Sequence, residues 1–208
     1  MAIIKKTSLK HQTYDIIKKK ILSQSYKLGE KINIDSLARE LNISNSPIRE
    51  ALNMLEKDGF VITNPNTGIR VVDLTPNEIL ELNQTIQILL IGGYDLCVAQ
   101  GKVDRLISRM REHLSQQNHF QKEKDSYNLI KSSINFDGCF LTVTDNKRLI
   151  SLYNNLSDVL FLAIIHYQQT NDASSTKNIH EHQMILDAVV SNQHDEVKRL
   201  IAIHYDKL

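Results

Sequence analysis

Ile43-Ser44-Asn45-Ser46-Pro47-Ile48-Arg49-Glu50-Ala51-Leu52 is the stretch on which the fold of this chain turns. Three short polar residues precede a proline, and an amphipathic run follows. Ser44 or Asn45 suits the N-cap of a helix, where a side-chain oxygen accepts from a first-turn amide. Pro47 fits that first turn because the N–H it lacks would have no intrahelical partner. Ile48, Leu52 and Leu55 recur at helical spacing and predict a buried face. Ser44, Asn45, Ser46 and Arg49 fall at the N-terminal end and on the other side. A helix that enters the major groove of DNA presents such residues to the bases. Arg49 can reach guanine or phosphate, and the helix N-terminal amides favour a phosphate. Two plainer readings stand beside this one: Asn45 as a simple cap, and Arg49 as a surface ion pair with Glu56 or another acid.

Working outward, the neighbouring segments supply the rest of a reading head. Upstream, Tyr14, Ile17, Ile21 and Leu22 predict a first amphipathic helix over about 9–25, with Lys18, Lys19 and Lys20 around its other side. Leu28-Gly29-Glu30-Lys31 reads as a turn. Asp35 reads as the N-cap of a short helix through Leu37, Ala38, Arg39 and Leu41, and Asn42-Ile43-Ser44 as a tight connection. Downstream, Gly59 ends the third helix. Phe60–Thr63 and Ile69–Val72 flank Asn64-Pro65-Asn66-Thr67-Gly68, a hairpin signal. Helix, helix, turn, helix, hairpin is the order of a winged helix-turn-helix. Thr67 and Gly68 at the hairpin tip would let backbone approach DNA, and an ordinary hairpin would use the same turn.

The chain changes character beyond Thr75-Pro76. All three prolines lie at or before residue 76, and apolar residues then recur at helical spacing to the C-terminus. About six helices in an all-α bundle are expected, with the Gly92-Gly93 pair marking close approach of another helix. The fold class is therefore mainly α: a winged helix-turn-helix over 1–74 and an all-helical domain over 75–208. Residues 1–74 carry 12 Lys/Arg against 8 Asp/Glu, and the remainder 13 against 16, which suits a nucleic-acid-binding head on a body with another task. Cys97 and Cys139, the two cysteines, have neither CxxC spacing nor a disulfide framework and read as small buried hydrophobes. No run approaches the roughly 18–20 apolar residues of a membrane span. The start has no apolar signal-peptide core. No membrane partner and a cytoplasmic location are expected.

The stretch quoted first resembles the VSRTPVREAL signature of the GntR superfamily, and its surroundings resemble the FadR-type branch. Leu28-Gly29-Glu30-Lys31-Ile32 is similar to the family's L-x-P-G-x-x-L turn without its proline. Leu37-Ala38-Arg39-Glu40-Leu41 matches the second helix, Leu55-Glu56-Lys57-Asp58-Gly59-Phe60-Val61 the L-E-x-x-G-L-V motif, and Asn66-Thr67-Gly68-Ile69-Arg70-Val71 the wing. The resemblance implies Arg39, Ser44, Asn45, Ser46, Arg49, Thr67 and Gly68 as contacts to double-stranded operator DNA. Asn45 stands where the family usually has Arg, a change that would move base preference from guanine toward adenine.

The C-terminal half is similar to the FadR-type C-terminal domain (FCD), on Thr75-Pro76-Asn77-Glu78-Ile79, Asp145-Asn146-Lys147-Arg148-Leu149, Glu181–Val189 and Ile203-His204-Tyr205. That resemblance implies a homodimer, a small-molecule effector and often a divalent metal such as zinc or nickel. In metal-binding members an Asp and a His four residues apart join two later histidines. Ser133, Asp137, His182 and His204 occupy those positions here and are the expected effector pocket. Asp137, His182 and His204 would then be the metal ligands, or else members of a metal-free polar pocket. Ile86 and Leu90 replace an Arg and a Glu that many members carry, which points toward a less charged effector. His166 and His180 are weaker candidates for the same pocket. The expected function is a transcriptional regulator, repressing until its effector binds, with no catalytic residues. The competing reading is a metal-dependent enzyme built on the His/Asp cluster. No HExxH, GxSxG or P-loop motif supports it.

Overall fold

Asn42 ends one helix in the left-handed conformation, and Ser44 begins the next with extended backbone, so three residues make the sharp turn between them. The computed structural model describes residues 8–168 and 174–206. The chain divides into two compact units, Met1–Leu74 and Thr75–Leu208.

The first unit contains α1 (Leu9–Leu22), α2 (Ile34–Leu41), α3 (Asn45–Lys57), β1 (Val61–Asn64) and β2 (Gly68–Val71). α3 packs on both α1 and α2, burying Ile48, Ala51, Leu52 and Leu55 against Ile17, Ile21 and Leu37. Gly59, at φ +79°, lets the chain leave α3 while the Phe60 amide donates back to the Leu55 carbonyl at 2.9 Å. The strands pair antiparallel from Val61↔Val71 to Asn64↔Gly68, and Lys31 forms an isolated bridge to Arg70. Three local expectations change. α1 stops at Leu22 rather than near Ser25, as Gln24 takes a positive φ. Each strand sits one residue away from its expected frame. Asn33, not Asp35, caps α2, because its side chain accepts from the Ser36 amide at 3.0 Å and Asp35 already lies inside the first turn.

The second unit is a bundle of six described helices: α4 (Pro76–Ala99), α5 (Val103–Glu123), α6 (Ser126–Thr142), α7 (Lys147–Gln168), α8 (Ser174–Val190) and α9 (His194–Tyr205). Thr75 and Glu78 form a reciprocal capping box that starts α4 just after the boundary. α6 is the central helix, packed on α4, α5, α7 and α8. Gly93 makes the α4–α6 crossing possible, since a Cβ there would lie 2.5 Å from Leu141 Cδ2 and 2.7 Å from the Phe140 carbonyl oxygen. Gly92 has no such role: a Cβ there would meet nothing within 4 Å. Cys97 and Cys139 are free and buried.

One apolar stretch passes what the sequence reading set aside. Lys147–Ile165 in α7 is long and apolar enough to cross a membrane by composition, with mean hydropathy 1.3, although Asn154, Asn155, Ser157 and Asp158 interrupt it. Only 28% of that window is buried within the single chain.

Candidate functional site

The head presents its candidate residues on its surface. Ser44, at the N-cap position of α3, makes no side-chain capping bond. Ser44, Ser46 and Arg49 are exposed, as is Arg39 in the last turn of α2. Arg49 forms no ion pair with Glu56; that carboxylate instead accepts from the Thr63 amide at 2.8 Å. Asn45 is not the cap. It is the first residue inside α3, and its amide donates to Asp35 Oδ1 at 2.9 Å, joining α3 to α2. At the wing, Thr67 is exposed and Gly68 holds φ +84°. A Cβ on Gly68 would come 3.4 Å from Lys31 Cε. Arg70 braces the hairpin by donating to the Gly29 carbonyl at 2.9 Å.

The body hides its candidates. Asp137 on α6, His182 on α8 and His204 on α9 bring one ligand atom each within 4.8 Å of one another. His182 Nε2 lies 3.5 Å from Asp137 Oδ1 and 3.3 Å from His204 Nε2, and His204 Nε2 lies 3.9 Å from Asp137 Oδ2. His182 is fully buried and stacks on Phe136 with ring centroids 4.2 Å apart.

Outer partners determine which ring nitrogens carry protons. Gln117 donates its amide to the Ser132 carbonyl at 3.4 Å, which turns its oxygen toward His182 Nδ1 at 2.9 Å. His182 Nδ1 is therefore the donor. His204 Nδ1 lies 2.8 Å from the Glu181 carboxylate, which can only accept when ionised. Both Nε2 atoms are thus left as lone pairs that face each other at 3.3 Å and repel unless a cation or an extra proton lies between them. Burial pulls the His182 ring below its ordinary pKa, against the attraction of Asp137, which disfavours the extra proton. Burial works against charge on Asp137, but the positive charge that His182 or His204 would carry when protonated, together with the Tyr205 hydroxyl, outweighs it and holds its carboxyl below the usual range. Tyr205 donates to Asp137 Oδ2 at 2.7 Å. A carboxylate with two neutral imidazoles, each backed by a hydrogen-bond acceptor, fits a divalent metal of the zinc or nickel type.

Ser133 makes no hydrogen bond to this cluster. It lies one turn before Asp137 and donates to Asn178 Oδ1 at 2.8 Å, itself one turn before His182. Ile86 and Leu90 are fully buried core residues of α4. His180 is exposed, and the side chain of His166 lies outside the described residues. Gln117, Glu181 and Asn178 were missed as site residues. Glu181 and Tyr205 had a signal, since each adjoins a candidate histidine; Gln117, 65 residues from its partner, had none.

A winged head of this kind joined to a helical body with a buried His/Asp cluster defines a ligand-responsive DNA-binding regulator. The chain belongs to the gntR family of bacterial regulatory proteins: that family's model matches residues 9–71, and the FCD domain model matches residues 96–207. It is a transcriptional regulator and not an enzyme. It is 25% identical over 196 residues to the uncharacterized HTH-type transcriptional regulator YdhC of Bacillus subtilis (strain 168), spanning 94% of this chain and 87% of that one. The Nta operon transcriptional regulator of Aminobacter aminovorans is 26% identical over 187 residues, covering 89% and 86%. The fold matches the crystal structure of a GntR transcriptional regulator from Rhodococcus sp. RHA1 with TM-score 0.79 and 17% identity, over 96% and 95% of the two chains.

Proposed function

We propose that residues 1–74 bind operator DNA, and that residues 75–208 dimerise, hold a divalent metal at Asp137, His182 and His204, and sense a small effector beside it. The paired Nε2 lone pairs of His182 and His204, 3.3 Å apart with both Nδ1 atoms already engaged, carry this reading. The metal would supply a cationic anchor and a Lewis-acidic contact for the effector. Gln117 and Glu181 hold the rings in the tautomer a ligand needs, and Tyr205 keeps Asp137 oriented and ionised. The effector is weakly charged, because α4 offers the apolar Ile86 and Leu90 where a cation would be needed. Ser133, hydrogen-bonded to Asn178, completes the polar wall.

Dimerisation is supported by α7. Leu149, Ile150, Leu152, Leu156, Val159, Ile164 and Ile165 are half-buried or exposed in the single chain, and Ile88 of the adjoining α4 is 70% exposed. A second copy of this face would remove that apolar area from water. The paired heads then place two α3 helices in successive major grooves, with Ser44, Asn45, Ser46 and Arg49 at base edges or phosphates and Arg39, Thr67 and Gly68 on the backbone. Repression released by the effector is the proposed mode, exercised in the cytoplasm where bacterial operators lie.

Elemental analysis of protein purified without a metal-affinity column tests the metal: about one zinc or nickel per chain is expected, falling to background in Asp137→Asn. Absence of metal that neither ion restores would leave the protonated-ring pocket in its place. Selection of bound DNA from a random pool identifies the operator. Arg49→Ala should then weaken specific binding by about 1–3 kcal/mol, and unchanged binding would remove Arg49 from base recognition.

A further inference from the structure

The cleft between α5, α6 and α7 plays no part in the reading above. We propose that it is a second ligand site, separate from the Asp137–His182–His204 cluster, and that it binds a small organic oxyanion, a carboxylate or a phosphate ester. Its volume is about 340 Å³, within the range of small-molecule pockets. α5 lines it with Arg105, Arg109 and His113, spaced four residues apart on one helix stripe, and no Asp or Glu shares the lining.

The acids that hold these arginines lie outside the cleft. Asp145 accepts from Arg105 Nη1 at 2.8 Å, and Glu112 from Arg109 Nη1 at 3.0 Å. Each bond uses one of the five N–H donors on a guanidinium. The two arginine side chains are 50% and 55% exposed, and ion pairs this exposed to solvent are weak. An oxyanion therefore competes for both forks at little cost, and the planar guanidinium geometry suits carboxylate and phosphate alike. Across from them stand the carboxamides of Asn135 on α6 and Asn154 on α7, which can donate to or accept from the uncharged part of such a ligand. The floor is where Tyr153 packs on Gly138: a Cβ at 138 would lie 2.9 Å from the Tyr153 ring.

The cleft adjoins the Asp137–His182–His204 cluster along α6. Gly138 and Cys139 line the cleft, and Asp137, the preceding residue, faces α8 and α9. The two sites share one turn of α6, so a ligand bound in the cleft bears on the helix that carries Asp137.

Calorimetric titration of the full chain with inorganic phosphate, glycerol 3-phosphate and succinate tests the proposal, with glycerol as the neutral control. At least one anion should bind with a dissociation constant of about 10 mM or tighter. Arg109→Gln should weaken it about tenfold, and Arg109→Lys, which keeps the charge but loses the fork, should weaken it too. Arg111→Gln removes the same charge from an exposed α5 position outside the cleft and should leave binding within about twofold. Binding should persist after chelator treatment, which separates this site from a metal-bound anion. Phosphate against succinate reports which oxyanion is preferred. No binding by any anion overturns the proposal, as does an equal loss in Arg111→Gln, undiminished binding in Arg109→Lys, or loss of binding on chelation.

Discussion

Arg49 in the head and His182 in the body are held in opposite ways. Arg49 projects from α3 into solvent, and the carboxylate nearest in expectation, Glu56, is occupied elsewhere. His182 is fully buried, with Gln117 on one ring nitrogen, Asp137 and His204 near the other and Phe136 stacked on its face. A residue of the first kind makes no contact on which the fold depends, so it can change without disturbing the fold. A residue of the second kind is part of the fold, so its function and its stability cannot be separated. Asn45 lies between the two kinds: it is half-buried, and its amide ties α3 to Asp35 of α2. In the body, changed residues come with matched partners: Ser133 is met by Asn178, and Asp137 by Tyr205.

The contrast is broken most easily at its buried end. His182→Ala removes a fully buried ring stacked on Phe136 and leaves the Gln117 oxygen without its donor, and should destabilise the second unit by about 3–5 kcal/mol. Chemical denaturation followed by circular dichroism measures this, and a loss below about 1 kcal/mol would mean that the cluster is not a structural element. Gly93→Ala should cost about 1–3 kcal/mol by overpacking α4 on α6, while Gly92→Ala, in open space, should stabilise α4 by about 0.5–1 kcal/mol. Equal effects at the two glycines would contradict the close approach at Gly93.

Proton linkage gives a smaller and graded effect. The folded-state pKa of His182 lies below its unfolded value of about 6.5, so its contribution is complete above that pH. It is lost progressively as pH falls, because the unfolded chain takes the proton first. Asp137, also depressed, behaves likewise below its unfolded value of about 3.9. In chelator-treated protein the melting temperature should therefore decline from pH 7.5 toward pH 5, with a shallower decline in His182→Gln. Identical slopes would show that His182 does not titrate between the two states. At the exposed end, Asn45→Arg should alter stability by less than about 0.5 kcal/mol, although it removes the bond to Asp35. Operator selection with this variant should shift one base position from adenine toward guanine. An unchanged profile would return Asn45 to a purely structural tie between α2 and α3.

Much of the head was legible because its signals are local. Pro47, Gly59 and the Asn64–Gly68 turn act on their own backbone, and the apolar spacing of Ile48, Leu52 and Leu55 sets the buried face of α3. The errors there were also local: Asn33 outcompeted Asp35 as cap because it reaches the Ser36 amide, and Asn45 found a partner ten residues away. In the body, helix number followed from periodicity, but the outer partners of the histidines did not. Gln117 looks like any helical polar residue until α5 is packed against α8.

The sequence by itself determined the order of elements, the exposed polar row on α3 and the three residues of the buried cluster. Each depends on residue type at short range or on a family spacing. Tertiary structure alone decided the tautomers of His182 and His204, the diversion of Asn45 to Asp35, and the union of Arg105, Arg109, Asn135 and Asn154 around one cleft. Those outcomes require side chains from different helices to meet at hydrogen-bond distance, and helix packing, not local propensity, sets which of them do.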